Sequence, residues 1–235
     1  VNSEVWLALG FLTTVSGFQI PCRLVDSRPC AAAKGFERMP GVSGAITFRR
    51  MDRHREKKFR LSLNMGTTDS DFKLWLENMG VKSEKLQPSD FGGLRGMRSL
   101  EAIRSGEVLV ELPISSTLCV GDEQPCIISD WVDQRFWYVS SLHVRLAMLL
   151  LYEVAKGKNS HMYPWILSLP VSHDDKLARW SDAELEELQD ESLAAEARQQ
   201  RASIDGAFEA LRASSPRTQV TLESFRWAMD TAISR

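Results

Sequence analysis

The side chains able to ligate a metal, attack a carbonyl or shuttle a proton are few and scattered. Four histidines, His54, His143, His161 and His173, make no HxxxH pair, and four cysteines, Cys22, Cys30, Cys119 and Cys126, make no CxxC. Such spacing supports neither a metal site nor a disulfide framework. The stretch "SHDD" at 172–175 holds the residue types of a hydrolytic triad. A triad is set by geometry rather than adjacency, so the stretch reads as a solvated polar loop. "GGLRGMRS" lacks the GK[ST] of a P-loop and the spacing of a dinucleotide fingerprint. What it offers is Gly92, Gly93 and Gly96, where the backbone can turn tightly and meet a ligand through its own N–H and C=O groups. Tyr163, Trp165 and Trp180 read as core aromatics rather than a substrate cage.

The elements that must carry these residues follow from periodicity. "DSDFKLWLENMGV" puts Phe72, Trp75, Leu76 and Met79 on one helical face and stops at Gly80. "GEVLVELP" is a short strand ended by Pro113. "SSLHVRLAMLLLYEVAKGK" is an amphipathic helix built on Leu142, Leu146, Leu149, Leu150 and Val154, ending in Lys156-Gly157-Lys158. "SHMYPWILSLP" reads as an aromatic loop between Pro164 and Pro170. Ser181 and Glu184 make a capping box, and a long polar helix follows with Gly206 as its weak point. The final helix has Thr221 as N-cap, Glu223 in its first turn and an apolar stripe of Leu222, Phe225 and Met229. Short strands with glycine turns followed by helices define an α+β protein.

Charge divides the chain. Residues 1–68 hold 11 of the 29 Lys and Arg but 5 of the 31 Asp and Glu, which leaves 18 basic against 26 acidic in the remainder. A body that acidic is a poor ligand for phosphate backbones, so no nucleic-acid partner is expected. "EVWLALGFLTTVSG" contains an apolar run about half the ~20 residues of a spanning helix. Val15 and Gly17 suit the positions before a signal-peptidase cut. The Arg-rich, acid-poor stretch after it has a transit-peptide composition. Together they resemble the bipartite presequence of algae with plastids of secondary origin. The expectation is a largely disordered leader over 1–68, plastid delivery and no membrane segment in the mature form. A disordered basic arm, a mis-spliced start, a nuclear signal in "RRMDRHREKK" and a cytoplasmic location are the alternatives.

Three segments in fixed order carry a resemblance. "GGLRGMRSLEAIRSGEVLVELP" resembles the opening strands of SET domains. "RLAMLLLYEVAKGKNSHMYPWILSLP" and "WSDAELEELQ…TLESFRWAMDTAISR" are similar to the inserted helices of one subgroup, which contains the plant Rubisco large-subunit methyltransferase. The likeness covers about 72–235, and "RLAMLLLYE" with "YPWILSLP" is its specific pairing. It implies a β-rich SET core interrupted by a helical insert, of which only the first half is present. The divisions are a leader at 1–68, the first helix and SET strands at 69–125, and the helical insert at 126–235.

The family transfers a methyl group from S-adenosyl-L-methionine to a protein lysine, or in one branch to a histidine. By motif position Gly93, Leu94 and Arg95 match its cofactor-contacting turn, mostly through main chain, although relatives often carry Glu-Gly where this chain has Gly93-Leu94. Arg235 matches the Arg of the "SR" step, a forked cation suited to the cofactor carboxylate. The alternatives are a solvent-exposed turn for Arg95 and a helix-end cation for Arg235. The family's catalytic tyrosine and Asn-His motif come after that step, so the resemblance implies no catalytic residue among Tyr138, Tyr152 and Tyr163, no metal, and an N-terminal fragment inactive alone. The implied partner is a protein methyl acceptor, such as a plastid protein like the Rubisco large subunit. A non-catalytic SET-like binding module and a gene fragment with unpaired strand edges are the competing readings.

Overall fold

The computed structural model describes residues 4–7, 22–25, 65–92, 95–215 and 218–234, with side chains described within 72–92, 96–215 and 218–234. Strand β1 is Glu4–Leu7, β2 is Cys22–Val25 and helix α1 is Met65–Asn78. On α1, Phe72 and Trp75 are buried with their rings stacked 5.5 Å apart. The helix ends where the sequence says it should. Gly80 takes φ +74°, its amide donates to Glu77 O, and the Val81 amide donates to Leu76 O. This is a Schellman ending, and Leu76 and Val81 supply its apolar contact. Trp75 Nε1 donates to His161 O at 2.7 Å, which fixes α1 to a turn far along the chain.

Strands β3, Leu86–Asp90, and β4, Arg95–Ser99, form an antiparallel hairpin in which Asp90 faces Arg95 across a four-residue connection. Lys85 closes the open end of the hairpin with ion pairs to Glu101 and Glu107. Strand β5, Val110–Pro113, turns Val110 and Leu112 into the core, and β6 is Leu118–Gly121. Their partners come from the N-terminal stretch. Strand β2 runs parallel to β5, and β1 runs antiparallel to β6 with Trp6 opposite Cys119. The expected leader therefore contributes two paired strands, and the β5 and β6 edges they meet are not left bare. Local periodicity over four residues carries no warning of so remote a partner. Cys119 is disulfide-bonded, against the expectation drawn from cysteine spacing, because spacing along the chain does not decide which cysteines the fold brings together.

The rest is helical: α2 Gln134–Val139, α3 Leu142–Lys156, α4 Tyr163–Ser168, α5 Asp182–Glu187, α6 Glu191–Ser214 and α7 Leu222–Ile233. Helix α3 is the axis of the core, with Leu146, Leu149 and Leu150 buried, and it packs on α7 and β6. The aromatic loop expected at 160–170 contains α4 instead. Pro164 sits in its first turn, where a missing N–H leaves no hydrogen bond unmade. Gly206 does not interrupt α6. The capping box at Ser181 and Glu184 is formed, and Thr221 caps α7 by accepting from the Ser224 amide. Among the described residues no helix is long and apolar enough to cross a membrane. Mixed strands and helices around one main core make this an α+β protein.

Candidate functional site

The glycine turn is built by the β3–β4 hairpin. Gly92 lies in the left-handed region at φ +76°, and a Cβ placed there would meet nothing within 4 Å. A Cβ on Gly96 would instead approach the Phe91 ring at 3.1 Å, so that ring sits against bare backbone. Phe91 is half exposed, and the Arg98 guanidinium lies 5.7 Å from its ring centroid. Gly93, Leu94 and the side chain of Arg95 lie outside the described residues, although Arg95 opens β4. At Gly92, the described end of the turn, the backbone is open.

The second part of the site is the exit of α7. Ser234 caps the helix, its amide donating to Asp230 O, and Arg235 lies outside the described residues. The segment 171–180 grips this last turn. His173 is buried, and its Nε2 lies 2.9 Å from Thr231 Oγ1. The Thr231 hydroxyl gives its own proton to Trp227 O, so Nε2 is the donor of the pair. Lys176 Nζ donates to Asp230 O at 2.6 Å, satisfying one of the last carbonyls of the helix. Arg179 meets Asp230 Oδ2 through both Nε and Nη2 at 2.5 Å. Asp230 is fully buried, and among the described residues its Oδ1 has no hydrogen-bond partner.

Sequence reasoning missed this cluster. The "SHDD" loop was expected to be solvated, yet its histidine is buried and bonded across 58 positions. The sequence carried no signal for it: Asp230 shares its side of α7 with Glu223 and Arg226, as a solvated acid would. The structure brings His173, Lys176 and Arg179 to the end of α7. The juxtaposition of Gly93, Leu94 and Arg95 with Arg235 rests on the resemblance alone.

The remaining titratable groups have structural surroundings. Tyr138 is exposed, and Tyr163 is half-buried. Tyr152 packs edge-on against Trp131 beneath the Lys156 ammonium, with its hydroxyl pKa raised by burial first and by Glu153 next. Burial likewise raises the thiol pKa of Cys126, the free cysteine of the described part. Among the described residues no cluster of His, Cys, Asp and Glu could hold a metal ion. A groove of about 660 Å³ lies between α1 and β3, with Phe72, Leu76, Val81 and Leu86 among its lining residues. It shares no residue with either part of the site.

Fold and site together define an α+β chain with an open glycine turn and a buried ionic cluster at a helix end. No family model matches its sequence, and no curated protein matches it.

Proposed function

We propose that this chain is the N-terminal part of an S-adenosyl-L-methionine-dependent protein-lysine N-methyltransferase of the SET class, of the Rubisco large-subunit methyltransferase type. The observation that supports this reading is the order of elements. After β1, β2 and α1 comes a glycine-turned hairpin, then β5 ending at Pro113 and β6, then helices α2 to α7 leading to Ser234. The resemblance implies the same order for the first half of a SET core and its insert.

In this reading Gly93, Leu94 and Arg95 hold the cofactor through main-chain groups, and Arg235 forks onto its carboxylate. The bound cofactor supplies an electrophilic methyl group on a sulfonium. The lysine acceptor must arrive as a neutral amine aligned with that methyl group, which demands positioning and a polar shell around the nitrogen. The reading assigns no catalytic residue to the 235 present. It takes a plastid protein such as the Rubisco large subunit as methyl acceptor, and it places the enzyme in a plastid on the composition of residues 1–68.

Calorimetry with S-adenosylhomocysteine tests the assignment. Residues 69–235 should bind more weakly than roughly millimolar, about −4 kcal/mol, because an open half-site leaves its carboxylate pair in water. The full product of the gene should bind in the micromolar range and transfer labelled methyl groups to protein lysine. Absence of binding and transfer in the full product refutes the enzyme reading. One observation favours the binding-module alternative: β1 and β2 already pair with β6 and β5. A soluble, cooperatively folding 235-residue chain with no cofactor affinity, from a gene that stops after Arg235, would establish it.

A further inference from the structure

Strands β1 and β2 are held by what they join rather than by each other. They lie in separate two-stranded sheets, β1 against β6 and β2 against β5. A four-residue strand with one partner is marginal by itself, so the accepting edges must supply the stability. Those edges need a partner. Leu118, Cys119 and Val120 are buried in succession, which covers both faces of β6. On β5, the Glu111 amide donates to Lys82 O at 2.9 Å, and Glu111 O accepts from the Lys82 amide at 3.0 Å. Alternation along the strand then turns the backbone groups of Val110 and Leu112 to the opposite edge, where β2 lies. Both residues are buried, so those groups must be met by another strand. The registers give the chemistry of the occupant. Val5 and Leu7 stand opposite Val120 and Leu118, and Arg23 stands opposite Glu111.

We infer that the covered edges of β5 and β6 form a strand-accepting surface, filled by the chain's own residues 4–7 and 22–25 and able to take the same segment from a second copy. Donor and acceptor belong to one sequence, so a second copy presents matching strands in matching directions, antiparallel on β6 and parallel on β5. The mode is strand addition, in which main-chain hydrogen bonds supply affinity and register supplies selectivity. Tethering favours the chain's own segment over a free one, with an effective concentration of roughly millimolar. The inference goes beyond the methyltransferase reading and is independent of it.

The test uses the full 235-residue chain and a labelled peptide of residues 1–25, under reducing conditions so that noncovalent pairing is read. The variant Val5→Pro/Trp6→Pro/Arg23→Pro/Leu24→Pro disables the chain's own strands. Consecutive residues point their N–H groups to opposite edges, so each proline pair removes one ladder donor whichever way the strand faces. The variant should bind the peptide at least about tenfold more tightly than the wild type, whose edges are filled. A peptide carrying the same four prolines should not bind. Equal uptake by variant and wild type, or none by a variant that keeps its helical circular dichroism, overturns the inference. If the variant does not fold, amide exchange on the wild type decides. The amides of 4–7 and 118–121 should open together, and before those of 146–151 in α3. Amides of 4–7 as unprotected as in the free peptide, or 118–121 opening only with α3, overturn it as well.

Discussion

Arg145 offers the sharpest test of how the core is held. It lies on α3 and is 5% exposed, yet its partners among the described residues are carbonyl oxygens rather than a carboxylate. Nε donates to Trp137 O at 2.7 Å and to Ser140 O at 3.2 Å. Nη1 donates to Gly121 O and Asp122 O at 3.0 and 2.9 Å, and Nη2 to Tyr138 O at 2.9 Å. Three of these carbonyls belong to the end of α2, where a helix has no partners of its own to give. The other two belong to the last residue of β6 and the turn after it. One planar cation therefore joins a strand end to a helix end. Arg145→Met keeps the aliphatic stem and removes every donor, leaving several carbonyls with no replacement. Each unsatisfied group costs roughly 1–3 kcal/mol, and these losses are not additive. The expected loss is about 3–5 kcal/mol, the range seen when a buried charge network loses one partner. Arg145→Lys should recover only part of it, because an ammonium is a point charge and cannot span donors in a planar fork. Urea unfolding followed by tryptophan fluorescence measures both. A destabilisation under ~1 kcal/mol for Arg145→Met would show that water satisfies these carbonyls and that the fork is dispensable.

Leu149→Ala should cost about 2–5 kcal/mol, as expected for a residue 4% exposed on the central helix, and a change under ~0.5 kcal/mol would mean the buried face of α3 is misassigned. The Glu107 carboxyl is held below its ordinary range by the Arg104 amide first and then by Lys85. Its contribution is therefore complete above the ordinary glutamate value and lost as pH falls through the depressed one. Glu107→Gln should flatten the acid limb of a melting-temperature profile, and superimposable limbs would exclude a role for this pair. Residues 1–68 behind an initiator Met, fused to a fluorescent protein, should direct it to a plastid; nuclear or cytosolic fluorescence would refute the presequence reading.

Much of the helical part was legible because the signals are local. Gly80 supplies the left-handed residue a Schellman ending needs, Ser181 and Glu184 lie at capping-box spacing, and Leu146, Leu149 and Leu150 repeat with the helix. The losses share one cause, which is dependence on remote partners. Helix α4 was hidden because Pro164 reads as a breaker until its place in the first turn is known. His173 looks solvated until Thr231 is brought to it. Strands β1 and β2 are too short to announce themselves without β6 and β5. Of the candidate site, only the glycines were readable as residue types, whereas Asp230 and the ionic grip on α7 required the fold.

The pairing of β1 with β6 and of β2 with β5 also sets the order of events during synthesis. Trp6 leaves the ribosome about a hundred residues ahead of its partner Cys119, which at ~5–20 residues per second is a wait of roughly 5–20 s. Through that interval both strands have exposed edges and nothing in the nascent chain to cover them. Non-local pairing of this kind slows folding and leaves such segments open to wrong partners. Helix α7, the main helical partner of α3, emerges later still. The β-pairs can close before the helical part is complete, and until β5 and β6 emerge the N-terminal strands are where a nascent-chain chaperone has most to protect.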